Sequence, residues 1–317
     1  MERVGKLADP LIYLLDMVIF IGIYSIVSIS LNLEYGFTGL ANFGKVAFFM
    51  VGAYSSAILA NFGYPYIVCI LVAAAMAGLA GFLVSIPALR LRADYLAIVT
   101  LAFGEILRFI FKNEDWIAGG VQGITVPSAF QLTGIPIRFS MLIQIGIVYL
   151  SLALCYLLVQ LIVNSPYGRT LKAIREDELA VQALGKNTFN YKTQVFSLSS
   201  AMTGLAGSLF AQYVRFIDPY TFEPFLTFSV WMMVILGGPA NNLGAILGAG
   251  VVTSLERGAR IIKDYILLPV DPHNLRIMLI GTLIILILMY KPEGLLKESK
   301  IKTSALEVSK KWRRRRS

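Results

Sequence analysis

The stretch Phe139–Val163, FSMLIQIGIVYLSLALCYLLVQLIV, contains no charged residue. It exceeds the roughly 20 apolar residues that a helix needs to cross a bilayer core. Its apolar residues run on continuously, whereas a membrane barrel strand alternates with a period of two. In lipid each backbone N–H and C=O must find its partner inside the protein, so a run of this kind is a helix. Working outward, Tyr66–Leu89 and Thr193–Val214 are also free of charge, and Leu11–Leu33 carries only Asp16. The same reading gives candidate spans at 11–33, 41–61, 66–89, 94–111, 139–163, 193–214, 225–238, 243–262 and 275–291. The fold class is all-α, a polytopic transmembrane helical bundle of about eight to ten spans.

Composition supports this. Hydrophobic residues make up 57% of the 317 and charged residues 15%, against roughly 25% charged in a soluble domain. The net charge of +9 is concentrated in two places, which argues against nucleic acid as a partner. Lys291–Ser317 holds ten Lys/Arg against three acidic residues, and Asn164–Lys192 holds five. Basic residues beside spans mark the cytoplasmic side, and a polybasic tail favours anionic membrane lipid. The expected division is a transmembrane domain over 1–290, including a cytosolic segment at 164–192, and a basic cytoplasmic C-terminal tail over 291–317. Leu11–Leu33 is too long for a signal-peptide core and is expected to remain as a span. Cys69 and Cys155 lie in apolar runs, and His273 has no ligand cluster around it; no disulfide framework or metal site follows.

Two candidate spans are interrupted. The 41–61 run contains Gly44, Gly52, Asn42 and Lys45, and reads either as a full crossing or as a re-entrant segment. The N-terminus lies outside in the first case and inside in the second. The run from Phe225 is broken by Gly237, Gly238, Pro239, Asn241, Asn242 and Gly244, which suits a tight turn or unwound backbone shielded by protein. Gly204 with Ser208 and Gly244 with Gly248 have small-xxx-small spacing, read as helix packing within one subunit.

Gly39–Val46, GLANFGKV, nearly spells a phosphate-binding loop, but Val46 stands where Ser or Thr must hold magnesium, and a membrane span precedes it. No nucleotide site, catalytic triad or paired carboxylates are read, so no cofactor is expected in this chain. The segment NSPYGRTLKAIREDELAVQALGKNTFNYK (164–192) begins with a helix-start signal, Ser165-Pro166, and is expected to form one amphipathic helix over Arg169–Leu184, stopped by Gly185. Such a helix is either a solvated surface element or a ligand for a partner's groove. Glu105 and Arg108, three apart, share a helix face and can neutralise each other. Intramembrane polar and ionisable residues are candidate functional sites, and Asn32, Asn42, Lys45, Glu105, Arg108, Asn241 and Asn242 form the candidate pathway or gating set.

IPALRLRADYLAIVTLAFGEILRF (86–109), YGRTLKAIREDELAVQALG (167–185), LGGPANNLGAILGA (236–249), KPEGLL (291–296) and LNLEYGFTGLANFGKVAFFMVGAY (31–54) closely resemble the LivM-type permeases of branched-chain amino-acid ABC importers. The resemblance implies a type-II importer permease in the plasma membrane. It also implies a second, LivH-type permease, two cytosolic ATPase subunits that use ATP, and an extracellular substrate-binding protein. It matches 167–185 to the family's ATPase-coupling segment, with Gly168, Arg169, Arg175, Glu176, Asp177, Glu178 and Gly185 as contact candidates. Lys45 departs from the family pattern, where His or another residue is usual, so no pore chemistry is carried to that position. The function implied is import of branched-chain or related hydrophobic amino acids by alternating access. A sister system for urea, short amides or other amino acids, an ATP-independent secondary transporter and a non-transporting scaffold are the alternatives.

Overall fold

The computed structural model describes residues 10–91, 93–127 and 137–265, and in the C-terminal part 278, 281, 282, 285, 289–291 and 293–298. The helices are α1 (Pro10–Leu31), α2 (Lys45–Asn61), α3 (Tyr66–Ala88), α4 (Ala93–Asn113), α5 (Asp115–Ala118) and α6 (Ile137–Asn164). They continue with α7 (Pro166–Glu176), α8 (Glu178–Ala183), α9 (Thr188–Val214), α10 (Pro224–Gly237) and α11 (Asn242–Tyr265). Among the described residues, the spans containing α1, α3 and α6 have the length and composition to cross a membrane by themselves, while α2 and α10 are shorter apolar helices. Most of the expected last span, 275–291, lies outside the described residues.

Side-chain contacts fix the direction of each helix. Tyr213 at the end of α9 donates to Asp16 near the start of α1, whereas Ser30 near the end of α1 meets Thr203 and Ser199 in the middle of α9. The two helices are therefore antiparallel. Helix α2 runs parallel to α9, since Lys45 meets Ser199 and Ser56 meets Ser208 and Gln212. Its far end returns to the level of the 113–127 loop, where Asn61 Nδ2 donates to Thr125 O at 2.8 Å. That loop pairs with the one after α9: β1 (Ile124–Thr125) and β2 (Phe216–Ile217) form a small antiparallel ladder. So 41–61 traverses the bundle and does not re-enter, but its helix starts at Lys45 and residues 39–44 are irregular. The start of α1 shares an end of the molecule with the 113–127 and 215–224 loops, here the distal face. The 164–192 segment and residues 293–298 share the other, the basic face, because Arg175 and Lys172 pair with Glu298.

Small residues allow the central helices to touch backbone to backbone. A Cβ on Gly52 would sit 2.1 Å from Gly204 O, and one on Gly204 would sit 2.2 Å from the Ala77 side chain. The α2–α9–α3 seam thus excludes anything larger there. The Gly244–Gly248 spacing serves the α10–α11 hairpin, where a Cβ on Gly248 would meet Met233 O. Both small-residue pairs pack within the chain. The α10–α11 connection is a tight turn, with Gly238 at φ 105° and Ala240 at φ 61°.

The expected single helix over Arg169–Leu184 is two helices. Ser165 caps α7 as its sequence implies, accepting from the N–H groups of Tyr167 and Gly168, with Pro166 in the first turn. The break is at Asp177, whose backbone is extended (φ −154°, ψ 101°). Its side chain accepts from Ala180 N at 3.0 Å and so caps a second helix. An Asp that can cap competes with continuation of the helix it follows. Gly185, at φ 77°, ends the segment as expected.

Candidate functional site

Helix α1 does not end cleanly. Its last turn, Asn32–Gly36, is a π-helical turn, a wider coil that leaves backbone groups available to side chains and is frequent at functional sites. Here it is wedged under the α10–α11 turn: Asn32 Oδ1 accepts from Ala240 N at 2.9 Å, and Asn32 Nδ2 donates to Asn242 Oδ1 at 2.9 Å. Asn242 Nδ2 donates in turn to Gln160 Oε1 on α6 at 3.1 Å. Asn241 donates to Lys297 O and accepts from Gly244 N. These three asparagines therefore clamp the broken end of α1, the hairpin and the C-terminal segment to one another.

The π turn presents Glu34 to the interior, where it pairs with Lys45 at the start of α2, Nζ to Oε1 3.1 Å. Both side chains are almost wholly buried, at 0% and 1% exposure. Asn42 Nδ2 donates to Glu34 Oε1 at 3.3 Å, and Lys45 Nζ also contacts Ser199 Oγ, which donates to Ser30 O at 2.6 Å. Buried charges persist in an apolar interior only when paired and hydrogen-bonded. The irregular 39–44 segment around the pair is itself satisfied: Asn42 Oδ1 accepts from Gly44 N, Thr100 Oγ1 from Phe43 N, and Asn42 O from Trp231 Nε1. Phe43 stacks on Trp231 with ring centroids 4.5 Å apart.

The structure connects this centre to the basic face through Arg175. Arg175 Nη1 donates to Gly36 O, the last residue of the π turn, at 2.5 Å. Arg175 also pairs with Glu176 at 2.8 Å and with Glu298 at 3.0 Å. Lys172 pairs with Glu298 at 3.3 Å and lies over the Phe37 ring. Helix α7 is thereby bound to the very turn that carries Glu34. Tyr167 stands where α7 meets α9, donating to Tyr191 O; burial, with Tyr191 beside it, pushes its phenol up to about 12.

The other sequence candidates divide in position. Gly168 is buried where a Cβ would lie 2.2 Å from Val163 O, so it lets α7 fold back on α6. Glu178 faces inward onto Thr188 and Lys192. Arg169 and Glu176 are exposed, as are Leu179 at 76% and Leu184 at 80%. Glu105 and Arg108 form the expected pair, two-pronged at 3.0 and 2.7 Å, one helix turn from Lys112, which lies over the distal-face Tyr220. They sit apart from the Glu34–Lys45 centre. Sequence reasoning left Glu34 out of the candidate pathway set and also missed Ser30, Ser199 and Glu298 at these sites. The available signal was a run of small hydroxyls, Ser25, Ser28 and Ser30 on α1 and Ser199, Ser200 and Thr203 on α9, inside apolar spans.

A many-span helical protein with a broken helix at its centre, joined by a salt-bridged amphipathic segment to one face, has the construction of a transport permease. Residues 13–288 match the family model for the permease component of branched-chain amino acid transport systems. The high-affinity branched-chain amino acid transport system permease protein LivM of Escherichia coli K12 is 33% identical over 297 residues, covering 86% of this chain and 68% of the relative. A probable branched-chain amino acid transport permease protein LivM of Methanocaldococcus jannaschii is 32% identical over 330 residues, covering 92% and 95%. An autoinducer 2 import system permease protein, LsrC of Yersinia pseudotuberculosis, is 27% identical over 203 residues, covering 62% and 55%. No solved structure matches the chain. The chain belongs to the branched-chain amino acid transport permease family.

Proposed function

We propose that this chain is the membrane-spanning permease subunit of an importer for branched-chain or related hydrophobic amino acids, working by alternating access and powered by separate cytosolic ATPase subunits that bind the ATP. A second, LivH-type permease and an extracellular binding protein complete the assembly. The observation that carries this reading is the match of the family over nearly the whole chain. The Arg175 link from the 164–192 segment to the π turn of α1 supports it mechanically. In this reading the basic face is cytoplasmic in the plasma membrane, residues 1–290 form the permease and 291–317 a basic tail facing anionic lipid.

The exposed residues of the coupling segment, Arg169, Glu176, Leu179 and Leu184, meet the ATPases, in the manner of a helix seated in a groove. Gly168, Asp177, Glu178 and Gly185 shape the segment, and Arg175 transmits its displacement to Gly36. Asn32, Asn241 and Asn242 hold the hinge that this displacement works on, and Asn42 and Lys45 with Glu34 form the polar centre it rearranges. Glu105 and Arg108 serve as a gating pair nearer the distal face. Lys45, sealed against Glu34, is unsuited to holding a nucleotide, in keeping with ATP bound elsewhere. Two packings of such a bundle need differ by only a few kcal/mol for ligand and nucleotide to shift their populations.

The test is charge reversal, Arg175→Glu with Glu176→Arg, in the reconstituted transporter. The variant inserts and assembles, hydrolyses ATP, and fails to couple that hydrolysis to uptake of radiolabelled leucine. Normal coupled uptake in this variant would refute the assignment of the segment.

A further inference from the structure

Helix α7 packs chiefly on α6, α8 and α9, so its tie to the α10–α11 hairpin runs through a few side chains and short segments. One such tie is the Arg175–Gly36 contact, which reaches Ala240 by way of Asn32. Residues 293–298 supply another. This segment is attached to the hairpin by its backbone. Leu295 N donates to Leu236 O at 2.8 Å and Leu296 N to Gly237 O at 2.9 Å, so the segment takes up carbonyls at the C-terminal end of α10, where a helix runs out of its own donors. Asn241 Nδ2 donates to Lys297 O at 3.0 Å. Gly294, at φ 74°, and Gly238, at φ 105°, lie against each other, and a Cβ on either would strike the opposite backbone. The segment is also braced within itself: Gly294 N donates to Lys291 O at 2.9 Å, Lys291 Nζ donates to Leu295 O at 3.2 Å, and Lys297 pairs with Glu293. None of these contacts involves Glu298.

Glu298 reaches the other way. Its two carboxylate oxygens take separate cations on α7, Oε1 with Lys172 at 3.3 Å and Oε2 with Arg175 at 3.0 Å. Lys172 and Arg175 are three residues apart and so share a face of the helix. Both cations are also engaged elsewhere, Lys172 over the Phe37 ring and Arg175 on Gly36 O. Contacts to ionised groups of this kind are stronger than neutral hydrogen bonds. Without the Glu298 charge the segment would stay attached to the hairpin and lose its hold on α7.

We infer that residues 293–298 are a strap that transmits displacement of α7 to the α10–α11 hairpin, with Glu298 as the positioning residue at its α7 end. The strap works in parallel with the Arg175–Gly36 contact. One route reaches the hairpin from the π turn of α1, the other from the C-terminal end of α10. The inference rests on the proposed role of 164–192 as the ATPase-coupling segment, and adds the residue through which that segment engages α10 and α11. A braced tether held at both ends carries displacement in either direction, so a shift of the hairpin is felt at α7 as well.

The experiment uses the complete transporter, with Leu243→Cys, exposed at the start of α11, as a reporter of the hairpin; Cys69 and Cys155 are both buried. In nanodiscs, a non-hydrolysable ATP analogue changes the rate of thiol labelling at position 243 several-fold. Glu298→Gln, which keeps the shape of the side chain and removes its charge, abolishes most of that change, and Glu298→Asp restores it in large part. In proteoliposomes Glu298→Gln lowers the leucine imported per ATP hydrolysed several-fold, with the ATPase subunits still co-purifying. Leu296→Pro removes the donor to Gly237 O and cuts the strap at its other end. Because the two positions act in series, the double variant is no worse than the more impaired single one, whereas positions with separate roles multiply their losses. A nucleotide response at position 243 that survives Glu298→Gln, or that is absent from the parent, overturns the strap, as does a double variant whose losses multiply. Should Leu296→Pro fail to assemble, the Glu298→Gln response decides alone. A parent that imports no leucine, while its labelling still depends on nucleotide and on Glu298, overturns the substrate reading and leaves the strap standing.

Discussion

Removing Lys45 from its pair with Glu34 tests the polar centre most directly. At 3.1 Å and an effective dielectric of about 20, the attraction is about 5 kcal/mol before desolvation is subtracted. Lys45→Met keeps the length of the side chain and deletes the ammonium, leaving the Glu34 carboxylate buried with only neutral donors such as Asn42 beside it. An uncompensated buried charge costs about 3–5 kcal/mol. Glu34→Gln combined with Lys45→Met removes both charges, and a well-packed neutral pair is commonly as stable as the ion pair or more so. The double variant is therefore expected to recover most of the stability that the single variant loses. Unfolding in mixed micelles, followed by tryptophan fluorescence, reads this out close by, because Trp231 donates to Asn42 O and stacks on Phe43. A single variant as stable as the double, with a coupling below about 1 kcal/mol, refutes the reasoning. If the double variant is stable yet transports poorly, the pair is retained for the conformational switch and not for folding.

Gly52→Ala, whose Cβ would lie 2.1 Å from Gly204 O, should open the α2–α9 seam and cost about 1–3 kcal/mol; Gly146→Ala, facing open space on α6, should be neutral or stabilising by up to about 1 kcal/mol. Thermal melts of both in the same detergent make the comparison, and similar losses would contradict the seam. Asn32→Ala leaves Ala240 N–H and the Asn242 side chain short of partners, a loss of about 1–3 kcal/mol per buried group, with uptake falling further than assembly. Leu179→Asp with Leu184→Asp should abolish co-purification of the ATPase subunits while leaving the melting temperature of the isolated permease unchanged, because both side chains are exposed in it; retained ATPase binding argues against α8 as the docking helix.

Much of the membrane architecture was legible because it depends on local properties. Uninterrupted apolar runs with few charges are helices wherever they lie in lipid, and the Ser165-Pro166 start and the Gly185 stop act within a turn or two of themselves. The grouping of the loops was also legible: residues 293–298 lie on one face with the 164–192 segment, and the 113–127 and 215–224 loops lie on the other. The Asp177 break was less so, because Asp177 sits within a charged run that also suits a continuous surface helix, and only the cap it makes to Ala180 separates the two outcomes.

The sequence by itself determined that this is a helical membrane protein, where most of its apolar helices lie, and which family its motifs resemble. It also marked Lys45, Asn32, Asn42, Asn241 and Asn242 as polar residues in apolar surroundings. Only the tertiary structure decided what each one meets. Lys45 finds Glu34 across an irregular loop and Ser199 on a helix more than 150 residues away; Asn32 finds Asn242 at a separation of 210. Whether 41–61 traverses or re-enters was settled the same way, by Asn61 reaching Thr125 at the distal face. Periodicity and hydropathy are properties of neighbours in the chain, and these contacts depend on how close two backbones can come. That distance is set by the small residues facing one another at Gly52 and Gly204.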